Sequence, residues 1–330
     1  MSLSDVIWFH QFYTRPLPSH ERPPKYTHAM TSPWTSERPW LRCALHTHTT
    51  NSDGELAPRA LVKHYERAGY DVLAVTDHWF RSDPPSTNGT LVLPSAELNC
   101  LLPGDRDGHV LALGIDEGLE SLEGERRDLA GTAGWITEHG GVAYLAHPAW
   151  TGAIPGSLEL PDTVAGIEVF NAGCELELGR GLSTVHWDEL LHAGRSCYAI
   201  ASDDSHHPGF DSDLAWTWVR AEPTAAGVLE ALRTGCFYST SGPRITSVAA
   251  GGGAVEVQCD PCSSVRVVFG VSSGAAVNAG RLGYRYGGEI LATTTDGLIT
   301  AARLDLPETA PYARVEVADV RGGRAWTNPL

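Results

Sequence analysis

The chain has 330 residues, 42% hydrophobic and 19% charged: room for about two domains, with the composition of an ordinary globular protein. Its 24 basic and 40 acidic residues give a formal charge of −16, which argues against a broad surface for duplex nucleic acid but not against a small phosphorylated substrate. No apolar run reaches the ~18 residues that cross a bilayer, and no secretory pattern opens the chain, so no membrane partner and a cytoplasmic location are expected.

Residues 1–40 are rich in Pro, Ser, Thr and aromatics without a sustained period, which reads as an arm anchored on a domain surface by Trp and Tyr. His10, His20 and His28 in this arm are read as surface or packing residues. From residue 41 apolar runs alternate with helical patterns. Strands are expected at Leu41–Leu45, Asp71–Thr76, Leu91–Asn99, Val110–Ile115, Val142–Ala146, Gly166–Phe170 and Cys197–Ala201. Helices are expected at Pro58–Ala68, Glu125–His139, His186–Ala193 and Pro223–Thr234, with glycine as the stop signal after each. This order predicts a largely parallel α/β sheet with its site at the carboxyl ends of the strands. Beyond residue 245 short β-rich runs are separated by glycine turns, which predicts a small all-β, sandwich-like domain over 246–330. That domain has no histidine.

The strand ends carry the chemistry. His46 and His48, spaced to share one face of a strand, close the first run, and Asp53 follows. Asp77-His78 closes the second, His147 the fifth, and Asn171 the sixth. Asp203-Asp204-Ser205-His206-His207 closes the seventh. One histidine at the end of an apolar run is commonly a satisfied core or edge residue; the recurrence at four strand ends indicates a metal site. Glu97 and His109 flank a turn-rich stretch, and a hairpin centred near Pro103 places them opposite each other. The ligand candidates are then His46, His48, Asp53, His78, Glu97, His109, His147, Asp203 and His206, enough for two or three divalent ions with Glu97 as a bridge. With no thiolate among them, zinc, manganese and iron all stay open.

Asp77 is a candidate to orient a neighbouring ligand, and Asp204 and Asn171 are candidate substrate contacts. His206 or His207 is the candidate acid for a leaving group. Arg81 and Arg244 are candidates for binding an anionic group, against the reading of ordinary surface arginines. Trp79, Phe80 and Trp150 are the residues that would line an apolar pocket. His64, His139, His186 and His192, on or near helices, are read as solvated or capping. The seven cysteines read as buried free thiols in a reducing compartment, and Cys259-Asp-Pro-Cys262 as a turn rather than half of a zinc knuckle.

The series Leu45-His46-Thr47-His48, Ser52-Asp53-Gly54, Ala74-Val75-Thr76-Asp77-His78, Glu97, His109, Ala146-His147-Pro148 and Ser202-Asp203-Asp204-Ser205-His206 resembles the PHP (polymerase and histidinol phosphatase) superfamily over roughly 41–245. Trp187–Leu191 and Gly235–Pro243 look like its carbaryl-hydrolase-type branch. The resemblance implies a distorted (β/α)7 barrel and a trinuclear centre. His46, His48, Glu97 and Asp203 would hold one ion, Asp53, His78 and His206 a second, and Glu97, His109 and His147 the third. Asp53 stands where some members have histidine. Family activity implies metal-dependent hydrolysis of a phosphate ester, phosphomonoester or phosphodiester, with carboxyl- or carbamate-ester hydrolysis as the alternative. A metal-stabilised binding module without turnover is a third reading; every expected position carries a competent ligand, which weighs against it.

Overall fold

The computed structural model describes residues 32–116, 118–119, 122, 127–280 and 285–330. Most of the expected arm, including His10, His20 and His28, and the start of the helix expected from Glu125 lie outside the described residues. Among the described residues of this segment, Trp34 packs on Trp40 and Tyr238, ring centroids 5.4 and 5.5 Å away.

In chain order the elements are β1 (Trp40–Ala44), α1 (Pro58–Arg67), β2 (Val72–Val75), β3 (Leu91–Leu102), β4 (Arg106–Leu113), α2 (Leu129–Glu138) and β5 (Val142–Ala146). Then come β6 (Val164–Asn171), α3 (Ala172–Leu178), α4 (Thr184–His192), β7 (Tyr198–Ser202), β8 (Trp216–Arg220), α5 (Ala225–Thr234) and β9 (Phe237–Thr240). Among the described residues nine strands follow: β10 (Ile245–Gly251), β11 (Ala254–Cys262), β12 (Ser264–Gly270), β13 (Ser273–Asn278), β14 (Arg285–Tyr286), β15 (Gly288–Thr293), β16 (Ile299–Asp305), β17 (Arg314–Ala318) and β18 (Arg324–Thr327). Helices α1 and α5 show their signals plainly. Pro58 opens α1 where its missing N–H costs nothing, and the Thr224 side chain accepts from Gly227 N to cap α5. The sequence signals no element at α3, β8 or β9.

Two sheets form among the described residues. The larger runs β14-β13-β12-β17-β18-β9-β8-β1-β2-β3-β4-β5-β6-β7, and the smaller is β10-β11-β16-β15. The larger is mixed. β1, β2 and β3 pair in parallel, as do β5, β6 and β7. The β3–β4–β5 segment between them is antiparallel, so the expectation of a largely parallel sheet is too simple. The strands also turn back on themselves at the site. Past β7, Asp204 N donates to His46 O at 3.0 Å and His48 N to Ser205 O at 2.9 Å, which brings the ends of β1 and β7 side by side.

Leu45, Ala74, Leu93, Leu111, Tyr144 and Ile200 form one apolar core on the inner face of these strands, with Val228 and Leu232 of α5 packed against it. A second core lies between the outer face and helices α2 and α4, around Ala199, Ala201, Trp187 and Leu190. A third joins the two sheets of the C-terminal region, Val255, Val257 and Leu304 facing Val265, Val315 and Val317. Strand β18 pairs with β9, so the larger sheet runs on past residue 245. The end of the chain also returns: Asn328 accepts from Ala199 N and donates to the carbonyls of Gly235 and Phe237. No helix among the described residues is long and apolar enough to cross a membrane.

Candidate metal centre

Glu97 is the hub of the site. It is buried, and five imidazoles converge on its two oxygens. Oε2 lies 3.2 Å from His46 Nε2, 3.3 Å from His48 Nε2 and 3.2 Å from His78 Nδ1. Oε1 lies 2.9 Å from His109 Nδ1 and 3.2 Å from His147 Nε2. The hairpin brings His109 there in a different register from the one expected. Glu97 pairs with Leu111, and His109 with Asn99, so the turn is centred on Gly104 rather than Pro103. His109 and Glu97 are diagonal neighbours on one face, still within side-chain reach.

The second carboxylate at the hub is Asp204, not Asp203. Asp204 Oδ1 lies 3.1 Å from both His46 Nε2 and His48 Nε2. Asp203 turns away. It accepts from the backbone N–H groups of Asp213, Leu214 and Ala215 at 2.9, 2.9 and 2.8 Å, and from Tyr65 Oη at 2.9 Å. Strand alternation gives the reason. Tyr198 and Ile200 face the inner core, and Ser202 contacts Glu168 below His46; Asp204 continues that side, while Asp203 continues the side of Ala199 and Ala201. Asp204 also has φ 55°, and His147 φ 28°: left-handed backbone that non-glycine residues adopt rarely and at a cost of order 1–3 kcal/mol.

Asp53 stands at the mouth, half-exposed. Its oxygens lie 3.4 Å from His206 Nε2 and 3.6 Å from His78 Nε2. The loop carrying it is pressed against His48: a Cβ on Gly54 would sit 2.3 Å from His48 O, so only glycine fits. Asp77 secures the same loop, accepting from Thr49 N, Thr49 Oγ1, Ser52 Oγ and Ser82 Oγ. Both its oxygens are thus committed to positioning, and it does not line the cavity.

Four groupings place ligand atoms within 4.8 Å of one another: His46, His48, Glu97 and Asp204; His48, Asp53, His78 and His206; His78, Glu97 and His109; and His147, Cys174 and Asp204. These sets fit divalent cations. His46 Nε2, His48 Nε2, His109 Nδ1, His147 Nδ1 and Asp204 Oδ1 are all buried without a hydrogen bond of acceptable geometry. Buried polar atoms are otherwise almost always satisfied, and here several aim at shared points, as ligand atoms do around an ion.

Electrostatics give the same picture. Burial pushes the His46, His48 and His147 imidazoles down, but the nearby carboxylates outweigh it and raise all three, His48 to about 9. Burial raises Glu97 and Asp204, and the histidines override it, holding both well below the usual carboxylate range. Asp203, with no imidazole partner, is lifted by burial to about 6.

Sequence reasoning missed Glu168 and Cys174, and it read Asn171 as a substrate contact where the structure makes it a brace. Buried Glu168 on β6 holds His46 Nδ1 at 2.9 Å and accepts from His147 N, Asn171 Nδ2 and Ser202 Oγ. A lone glutamate inside the apolar run Gly166–Phe170 was the available signal. Asn171 itself bonds Glu168 and Asp204 and caps α3 through Cys174 N, so it braces the site from within. Cys174 lines the cavity, although no thiol is expected there from sequence.

The cavity over these groups measures about 650 Å³ and is walled by Trp150, Cys174, Leu176 and Glu177 beside the ligand candidates. Trp150 meets His147 edge-on at 5.1 Å, and its indole donates to Glu177 at 2.9 Å. His207 is on the rim, 64% exposed at its side chain. No lysine or arginine is among the described residues lining the cavity. Arg81 donates instead to Ile115 O, and Arg244 lies over the Trp218 ring by the C-terminal sheet. Trp79 and Phe80 do not line the cavity either. Of the helical histidines, His186 is buried rather than solvated and bonds Ala153 O.

No protein-family model matches the chain, and no curated protein matches it. Solved structures do. One is a two-domain protein containing a predicted PHP-like metal-dependent phosphoesterase from Bacteroides vulgatus, 15% identical, covering 89% of this chain and 96% of that one, TM-score 0.49. An amidohydrolase from Chromobacterium violaceum, solved with sulfate, is 18% identical over 52% of this chain and 89% of its own, TM-score 0.35. A lesion-specific endonuclease from Pyrococcus furiosus is 13% identical over 60% of this chain and 56% of its own, TM-score 0.39.

Proposed function

We propose that the chain is a metal-dependent hydrolase of a small phosphate ester, with a distorted (β/α)7 metallohydrolase barrel over 41–245 and an accessory β domain over 246–330. The observation that carries the reading is the convergence of five imidazoles on Glu97 beside Asp204, with their buried ligand atoms otherwise unsatisfied. Two or three zinc, manganese or iron ions suit this donor set, with Glu97 and Asp204 positioned to be shared between ions. When bound, such ions supply a deprotonated water near neutral pH and positive charge for the oxygens of the reacting group. Asp53, His78 and His206 stand at the cavity mouth, where substrate enters. Glu168 keeps the His46 ring oriented through Nδ1, leaving Nε2 for the ion. His207 is the acid of this proposal: it lines the cavity outside the Glu97 cluster and is placed to give a proton to the departing oxygen.

A second reading has its own support. The cavity offers Trp150 and Leu176 but no lysine or arginine among its described lining residues, which suits an aryl carboxyl or carbamate ester whose leaving group is apolar. A side-by-side assay of metal-reconstituted protein on phosphomonoesters, phosphodiesters and aryl carbamates separates the two. Turnover of the phosphate esters, abolished by chelation, supports the first; turnover of carbamates alone replaces it with the second. Activity that survives complete metal removal refutes both.

A further inference from the structure

We propose that Cys174 is a metal ligand, completing with His147 and Asp204 a mixed nitrogen, oxygen and sulfur position that favours zinc or ferrous iron over manganese or magnesium. This rests on the metallohydrolase reading and adds a donor to it. The ordinary interpretation of a buried cysteine is a small apolar filler. Three observations point past that one here.

Cys174 is buried and lines the cavity, and its ligand atom is within 4.8 Å of one on His147 and one on Asp204. The atoms that meet there are one carboxylate oxygen and one imidazole nitrogen: Asp204 Oδ2 lies 3.9 Å from Cys174 Sγ and 4.0 Å from His147 Nε2. The thiol is also held in place. Asn171 accepts from Cys174 N with its amide oxygen and donates from its amide nitrogen to Asp204 Oδ2 at 3.1 Å, so one side chain fixes both donors. Gly173 permits the approach: its N–H donates to Asp203 O at 2.8 Å, and a Cβ there would meet Asp204 O at 2.9 Å. The thiol donates to Asp204 Oδ2, with Sγ 3.9 Å away.

Ligation replaces that hydrogen by the cation, and the proton leaves to solvent. Thiolate is the softest donor in the set, and it selects zinc and iron over manganese and magnesium, which prefer oxygen.

Cobalt(II) tests the assignment spectroscopically, without reference to turnover. Cobalt-reconstituted full-length protein is expected to show visible ligand-field bands together with a near-ultraviolet sulfur-to-cobalt charge-transfer band. In Cys174→Ser the charge-transfer band disappears while the ligand-field bands remain, which also shows that the variant has folded around its site. Cys174→Ala repeats the measurement without a hydroxyl. Zinc retention against a competing chelator is expected to fall about tenfold or more in both variants, with manganese retention little changed. Ligand-field bands without a charge-transfer band in the wild type overturn the Cys174 assignment and leave the metallohydrolase reading standing. A charge-transfer band that persists in Cys174→Ser also overturns it. Absence of both features in the wild type refutes the metal centre and this ligand together.

Discussion

Replacing Asp203 and Asp204 one at a time by asparagine separates a structural carboxylate from a candidate ligand. Asp203 accepts four hydrogen bonds, three from consecutive backbone N–H groups and one from Tyr65. An amide keeps one acceptor oxygen and turns an NH2 group toward two of those donors. Two charge-assisted bonds are lost, each worth roughly 1.5–3 kcal/mol. Burial lifts the Asp203 carboxyl to about 6, so relief of that burial offsets part of the loss. The net expectation for Asp203→Asn is about 2–4 kcal/mol of destabilisation, a large share of the roughly 5–15 kcal/mol a protein has in hand. Urea unfolding of the metal-free protein measures it. Metal bound per folded chain, read by elemental analysis, should stay near wild type in this variant. Asp204→Asn should do the reverse at the site, with metal content falling about tenfold or more as an anionic donor shared by His46 and His48 is lost. If Asp203→Asn empties the site at unchanged stability while Asp204→Asn keeps its metal, the placement of the two carboxylates is wrong.

Three further outcomes follow from the same geometry. In chelator-treated protein the raised His48 pKa, opposed by burial and carried by Asp204 and Glu97, makes the folded state hold a proton that the unfolded state releases. That stability is complete below the unfolded value of about 6.5 and is lost as pH rises through about 9, a total of order 3 kcal/mol. Thermal melts across that window should fall with pH, and melts that rise would contradict the assignment. Glu168→Gln should leave the protein folded and weaken metal binding about 10–100-fold, read by chelator competition, because His46 loses the carboxylate that orients its ring. Arg81→Ala and Arg244→Ala should each leave kcat/KM within about twofold, because neither side chain lines the cavity. A hundredfold loss in either would mean that substrate reaches beyond the cavity described.

The candidate ligands legible in the sequence are those that sit where a periodic element stops. His46, His48, His78 and His147 could be read because an apolar strand gives way to a polar group, and that contrast is local. Glu97 and His109 were legible as a pair because the turn formers between them bound the hairpin to within two residues, although Gly104 and not Pro103 is its centre. The choice between Asp203 and Asp204 was not legible. Strand β7 is buried on both faces, so its residues show no alternation of polarity to mark which side looks inward. Glu168, Asn171 and Cys174 share that difficulty: their roles come from contacts with β1, β5 and the turn after β7, far away in the chain. The mixed pairing around β3–β4–β5 and the return of Asn328 beneath β7 are likewise decided by which strands meet. A strand's apolar pattern states that it is buried; only packing states beside what. The sequence alone therefore established an α/β chain with histidines and carboxylates at its strand ends, and tertiary structure decided which of them share an ion's worth of space.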